Sequence, residues 1–185
     1  MPTTRKTAEP SARKLSRTHR PDGMTAEEWQ VALRRQFGRE QPFLLENLGT
    51  EPLFSEFAVS NPETGRTYRV AIRGDALGVN YCSCPDFAVN ALGTCKHIEF
   101  SLARLGKTKR AQALLRAGYA PPFSEVFVRY GAQRRVVFSA GTDAPHGFLQ
   151  LARRYFDGDG VMRDEAFTCF EAFVADASRL GHEVR

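Results

Sequence analysis

Cys82, Cys84, Cys95 and His97 stand in the order C-x-C, ten residues, C-x-H, all within the stretch Tyr81 to His97. Thiolate sulfur and imidazole nitrogen are soft donors, and four of them converging on one point make the donor set of a tetrahedral zinc site. A set supplied wholly by protein leaves no position for water or substrate, so the expected site is structural. Small buried cysteines near a helix can instead merely fill a core. The spacing favours zinc: three of the four cysteines fall within fourteen residues, and each ligand pair is separated by a single residue.

Two elements must deliver these pairs. From Leu53 the hydrophobic period is two, which predicts a strand over Leu53–Val59, a turn at Asn61 to Gly65, and a second strand over Arg66–Arg73 with Tyr68, Val70 and Ile72 on one face. A turn at Gly74 to Gly78 returns the chain into Val79–Cys82, so an antiparallel meander brings the C-x-C to a strand end. Continued extension would put Cys82 and Cys84 on one side, after which Pro85 stops the ladder and begins a connecting loop. Thr94 is a candidate N-cap for a helix running to Leu105, with Cys95 and His97 in its first turn, where the helix dipole favours thiolate over thiol.

Ahead of this segment, Thr25 and Glu28 form a T-x-x-E capping box for a helix over Met24–Arg39 with Trp29, Leu33 and Phe37 at four-residue spacing. Arg34, Arg35 and Arg39 fall largely on another side. Beyond it come a short helix over Ala111–Arg116, a hairpin of Glu125–Tyr130 with Arg134–Ser139, and helices over Pro145–Phe156 and Asp164–Leu180. Cys169 lies beside the apolar face of the last helix and reads as a core cysteine. Asp157-Gly158-Asp159-Gly160 has the look of a calcium loop, but Val161 stands where an oxygen ligand belongs, so a turn is expected.

The 185 residues suffice for one domain or two small ones, with 42% hydrophobic content. The net charge of +5 is concentrated at the front: residues 1–40 hold nine Lys/Arg against five Asp/Glu, and residues 121–185 eight against nine. No apolar run approaches the ~20 residues that cross a bilayer, and the N-terminus lacks the apolar stretch of a secretory signal, so an intracellular protein without a membrane partner is expected. In that reducing setting cysteines serve metals rather than disulfides. Residues 1–22, polar, basic and interrupted by prolines, read as a disordered arm. No phosphate loop, H-E-x-x-H or G-x-S-x-G occurs, and His19, His146 and His182 have no clustered acid or nucleophile, so no enzyme activity is expected of the chain.

The ligand spacing, with its preceding strands and following helix, resembles the SWIM zinc finger, C-x-C-x(n)-C-x-H. More broadly, residues 15–185 are similar to the segment ahead of the motor in bacterial Swi/Snf-type helicase-like ATPases. Arg17-Thr18-His19-Arg20-Pro21, the Trp29 helix, Cys-Ser-Cys-Pro-Asp-Phe at 82–87, Gly93-Thr94-Cys95-Lys96-His97 and the Ser124-Glu125-Val126 hairpin carry that likeness. The resemblance implies a zinc module that binds DNA or protein partners, with Cys82, Cys84, Cys95 and His97 as ligands. The motor itself is absent, so the chain is expected to be either a fragment or a stand-alone relative that cannot hydrolyse ATP by that mechanism.

Three units follow: a basic arm over 1–22, a zinc-finger domain with its N-terminal helix over 23–120, and an accessory hairpin and helices over 121–185 packed on it. The fold class is α+β, a small antiparallel meander plus helix closed by zinc. Sequence-independent contacts to nucleic-acid backbone, DNA above RNA, are expected from Arg69 and Arg73 on the polar strand face and from Lys96, Lys107, Lys109 and Arg110 around the finger. The competing expectation is a regulatory module that docks on a protein partner or a covalently linked ATPase motor through the Phe-rich C-terminal helices.

Overall fold

A computed structural model describes residues 14–185. It is a mixed α+β fold of antiparallel strands and six α-helices. The first helix, α1, spans Ala26–Glu40. Its capping box forms as expected: the Thr25 hydroxyl accepts from the Glu28 N–H at 3.1 Å and the Glu28 carboxylate accepts from the Thr25 N–H at 2.8 Å. Two otherwise unpaired backbone donors are thereby satisfied. Of the arm expected over 1–22, residues 1–13 lie outside the described residues. Residues 14–20 run along α1, where the Trp29 indole donates to the Ser16 carbonyl at 3.0 Å and Lys14 and Arg17 pair with Glu40 at 2.9 and 3.0 Å.

Four strands follow in an antiparallel meander whose spatial order is the chain order: β1 Leu44–Asn47, β2 Glu56–Asn61, β3 Arg66–Ala71 and β4 Tyr81–Cys82. The expected strand from Leu53 begins three residues later, because Leu53 and Phe54 form a bend packed against the core. The periodicity gave no sign of β1. As a sheet edge it exposes Leu44 and turns Leu45 alone toward the core, so it lacks the alternation that marks a half-buried strand.

After β4 come α2 Pro85–Val89, α3 Lys96–Leu105 and α4 Lys109–Ala117. The hairpin is β5 Glu125–Arg129 with β6 Arg135–Ser139, and α5 spans His146–Tyr155. The long helix expected over Asp164–Leu180 is divided: a 3₁₀ segment covers Asp164–Cys169 and α6 covers Phe170–Arg179. Cys169, expected in the core, is exposed, as is Phe167 on the same segment. The face turned to the core runs through Ala166, Phe170, Phe173 and Ala177, so Phe167, like Val174 one heptad later, points outward. Asp157 organises a turn, its carboxylate accepting from the Asp159 and Val161 amides at 2.9 and 2.8 Å.

Two apolar clusters result. One, built from Phe57, Val70, Ile72, Phe87, Ile98 and Leu115 among others, lies between the meander and α2–α4 and contains the three ligand cysteines. The other centres on Phe148, Phe156 and Phe173. Each such side chain contributes about 1.5–3 kcal/mol when removed from water. The β5–β6 hairpin stands between them. Val126, Val136 and Phe138 on one face pack into the second cluster, while on the other Glu125 pairs with Arg73 at 3.0 Å and Arg73 lies over the Phe127 ring. The chain end completes this sheet, since Val126 N–H donates to the Arg185 carbonyl at 2.7 Å.

Candidate metal centre

Cys82 is delivered by β4, where it stands opposite Val70 of β3. The short strand is held in register by Asn80, a buried side chain that accepts from the Arg73 N–H at 2.7 Å and donates to the Gly74 carbonyl at 2.8 Å. Asn80 thus closes the turn that brings the first ligand pair to the sheet edge. Pro85 then starts a helix where a loop was expected. Its fixed φ suits the first helical position, and Cys84 acts as the N-cap, its sulfur accepting from the Phe87 N–H at 3.4 Å.

The second pair comes from the start of α3. Its N-cap is Cys95 rather than Thr94, because the Thr94 hydroxyl donates to Glu99 at 2.9 Å. The other Glu99 oxygen accepts from Arg35 of α1 at 3.0 Å, so one buried carboxylate joins α1, the ligand loop and α3. Arg34 adds a bidentate pair to Asp86 of α2 at 2.6 and 3.1 Å. These arginines, which the spacing sets apart from the apolar stripe of α1, fasten α1 to both ligand-bearing helices. Close approach of α1 to α3 also needs Gly38, where a β-carbon would lie 2.8 Å from the Lys96 carbonyl oxygen and the Phe100 amide.

The four residues converge into a buried Cys3His group whose ligand atoms all lie within 4.8 Å of one another. His97 Nδ1 stands 3.8 Å from Cys82 Sγ and 3.9 Å from Cys95 Sγ. An ion bound tetrahedrally by sulfur and imidazole at ordinary lengths requires donor separations of about 3.6–3.8 Å. The two His97–sulfur separations meet this, and with every pair inside 4.8 Å the group could hold one metal ion. Aromatic packing orients the imidazole, which lies between Phe43 at 5.0 Å and Tyr68 at 4.8 Å. Neither of these residues carries a motif signature, and their role was not legible in the sequence.

Electrostatics point the same way. Hydrogen bonds from Cys82 and Cys95 hold the Cys84 thiol far below its ordinary range, whereas contact with Cys84 pushes Cys82 up to about 12, and Cys82 and Cys84 together push Cys95 higher. Crowding thus sets the three thiols against one another, because a second thiolate beside the first is disfavoured. A cation removes that limit, since it stabilises all three as thiolates.

The basic residues singled out for nucleic acid differ in their surroundings. Arg69, on the outer sheet face, pairs with Glu56, and Arg73 with Glu125. Lys96 lies beside the metal ligands with its ammonium 5.7 Å from the Phe43 ring. Lys107, Lys109 and Arg110 are exposed around the α3–α4 turn. Among the described residues these last four make no ion pair. No helix of the described residues is long and apolar enough to cross a membrane. Comparison with protein-family models, curated proteins and solved structures found no match to this chain.

Proposed function

We propose that the chain is a SWIM-type zinc module that binds nucleic-acid backbone, DNA in preference to RNA, as the accessory region of a Swi/Snf-type helicase-like protein. The observation that carries the metal part of this reading is the buried Cys3His group with its ligand atoms within 4.8 Å. Cys82, Cys84, Cys95 and His97 would hold Zn2+, which fills its tetrahedron with protein donors and ties a strand end to a helix start. With no position left open, the ion's role is to build a surface rather than to activate water, and we read the chain as a non-enzyme.

Support for nucleic acid comes from the exposed cations of the α3–α4 turn. Among the described residues Lys107, Lys109 and Arg110 make no ion pair, which suits neutralisation of phosphates with release of counterions. Arg69 and Arg73 carry less of the argument because Glu56 and Glu125 match their charge. Protein purified without added metal should contain close to one zinc per chain by elemental analysis. Its affinity for a labelled DNA duplex should fall steeply with salt, and charge reversal at Lys107, Lys109 and Arg110 should abolish binding. Metal-free folded protein would sink the zinc site, and affinity indifferent to salt would sink the backbone contact.

One observation favours a second reading, a protein-docking module. An apolar groove of about 440 Å3 lies between the hairpin and α6, lined by Val126, Val136, Phe167, Phe170 and Val174. Under that reading the same charge reversal leaves partner binding intact.

A further inference from the structure

A second cleft, of about 260 Å3, opens beside the metal centre. Cys84 and His97 reach its wall, and Tyr68, Thr64, Asn61, Arg66 and Lys96 surround it. It is smaller than the roughly 300–1,000 Å3 of ordinary small-molecule sites, so it suits one chemical group rather than a whole cofactor. Among the described residues neither Arg66 nor Lys96 makes an ion pair. Asp86 also lines the cleft, but its carboxylate is occupied by the bidentate Arg34 pair.

Charge decides what such a cleft can take. Three thiolates on a divalent ion leave one net negative charge, the Arg34–Asp86 pair contributes none, and Arg66 with Lys96 supplies two positive charges. The remainder is a single positive charge, which matches a singly charged phosphodiester better than a doubly charged terminal phosphate. Neutral donors are at hand. Asn61 Oδ1 accepts from the Glu63 N–H at 2.9 Å, which leaves the side-chain amide hydrogens of Asn61 to donate, and Tyr68 and Thr64 bring hydroxyls.

We propose that this cleft receives a backbone phosphodiester of nucleic acid, held by Arg66 and Lys96. The inference rests on the nucleic-acid reading above and adds a defined phosphate position and Arg66, a residue that reading does not use. It makes the wall of the metal centre part of the binding surface. A metal held by Cys84 and His97 would help fix the phosphate position, because His97 and Lys96 leave the same helix turn and Cys84 caps the helix that bears Asp86.

The test is titration of a short fluorescein-labelled DNA by anisotropy across a salt series, with wild type, Arg66→Gln and the Arg66→Gln/Lys96→Gln pair. Metal content is measured on each protein. Arg66→Gln is the informative variant because it lies far in sequence from every ligand. The expected result is weaker binding at unchanged metal content, with the slope of log affinity against log salt reduced by about 0.7–0.9 for Arg66 and by a similar step for Lys96. Wild-type binding with an unaltered slope in Arg66→Gln overturns the cleft alone and leaves the broader reading standing. Weakened binding accompanied by loss of metal also overturns it, since Arg66 would then act on the fold. Absence of wild-type binding overturns both.

Discussion

Two cysteines that the sequence assigns to different roles, one to a metal and one to a core, differ in burial in the fold. Cys84 is buried, caps α2 and belongs to the metal group, whereas Cys169 is exposed on a 3₁₀ turn. Cys84→Ser should therefore release the metal and unfold at least the meander and α3, because zinc-binding free energies of about 10–16 kcal/mol are coupled to folding and rival the whole stability of a domain. Cys169→Ser should keep both metal and melting temperature. Elemental analysis and circular dichroism on the two variants check this.

A second residue-scale prediction concerns pH. The Glu40 carboxyl is held below the ordinary carboxylate range, chiefly by the Lys14 ammonium 2.9 Å away and further by Arg17. A depressed carboxylate contributes at neutral pH and its contribution is lost as pH falls through its folded value. Acidification should detach residues 14–20 from α1. The chain's one tryptophan, Trp29, reports it, since its indole bonds to Ser16; Glu40→Gln should show the detached fluorescence already at neutral pH.

At the scale of elements, α1 supports the metal centre without contributing a ligand. Its Arg34 and Arg35 bond to Asp86 and Glu99, and its Gly38 permits backbone-to-backbone approach to α3. Gly38→Ala forces a β-carbon against the Lys96 carbonyl, and overpacking of this kind costs about 1–3 kcal/mol. The expected outcome is a lower melting temperature and slower metal uptake, read by thermal unfolding and stopped-flow metal titration. An unchanged melting temperature would mean that α1 and α3 part freely. The capping box of α1 and the hairpin were legible in the sequence because their signals lie within a few residues. The docking partners of α1 were not, since Arg34 and Asp86 are 52 residues apart and Arg35 and Glu99 are 64 apart.

Across the whole molecule, the β5–β6 hairpin turns one face into the second apolar cluster and meets the first through Tyr130 at its turn and the Glu125–Arg73 pair. Phe173 is wholly buried in the second cluster among Phe138, Phe148 and Phe156. Phe173→Ala should cost about 3–5 kcal/mol yet leave metal content unchanged, because no ligand belongs to that cluster. Denaturant unfolding with parallel metal analysis measures both. Metal lost together with the second cluster would show that the hairpin couples the two into one cooperative unit.

By itself the sequence determined the donor set, the strand-then-helix delivery of its two halves, and the α+β class. All of these rest on residue chemistry and on periodicities that act within a turn or a strand. Tertiary structure alone decided that α2 rather than a loop follows Cys84, that Cys169 faces solvent, and that acidic partners match Arg69 and Arg73 while Lys107, Lys109 and Arg110 stay exposed. It also placed Phe43 and Tyr68 on either side of His97 and opened the cleft at Arg66. Burial and charge pairing depend on which distant segments meet, and local spacing carries no record of that.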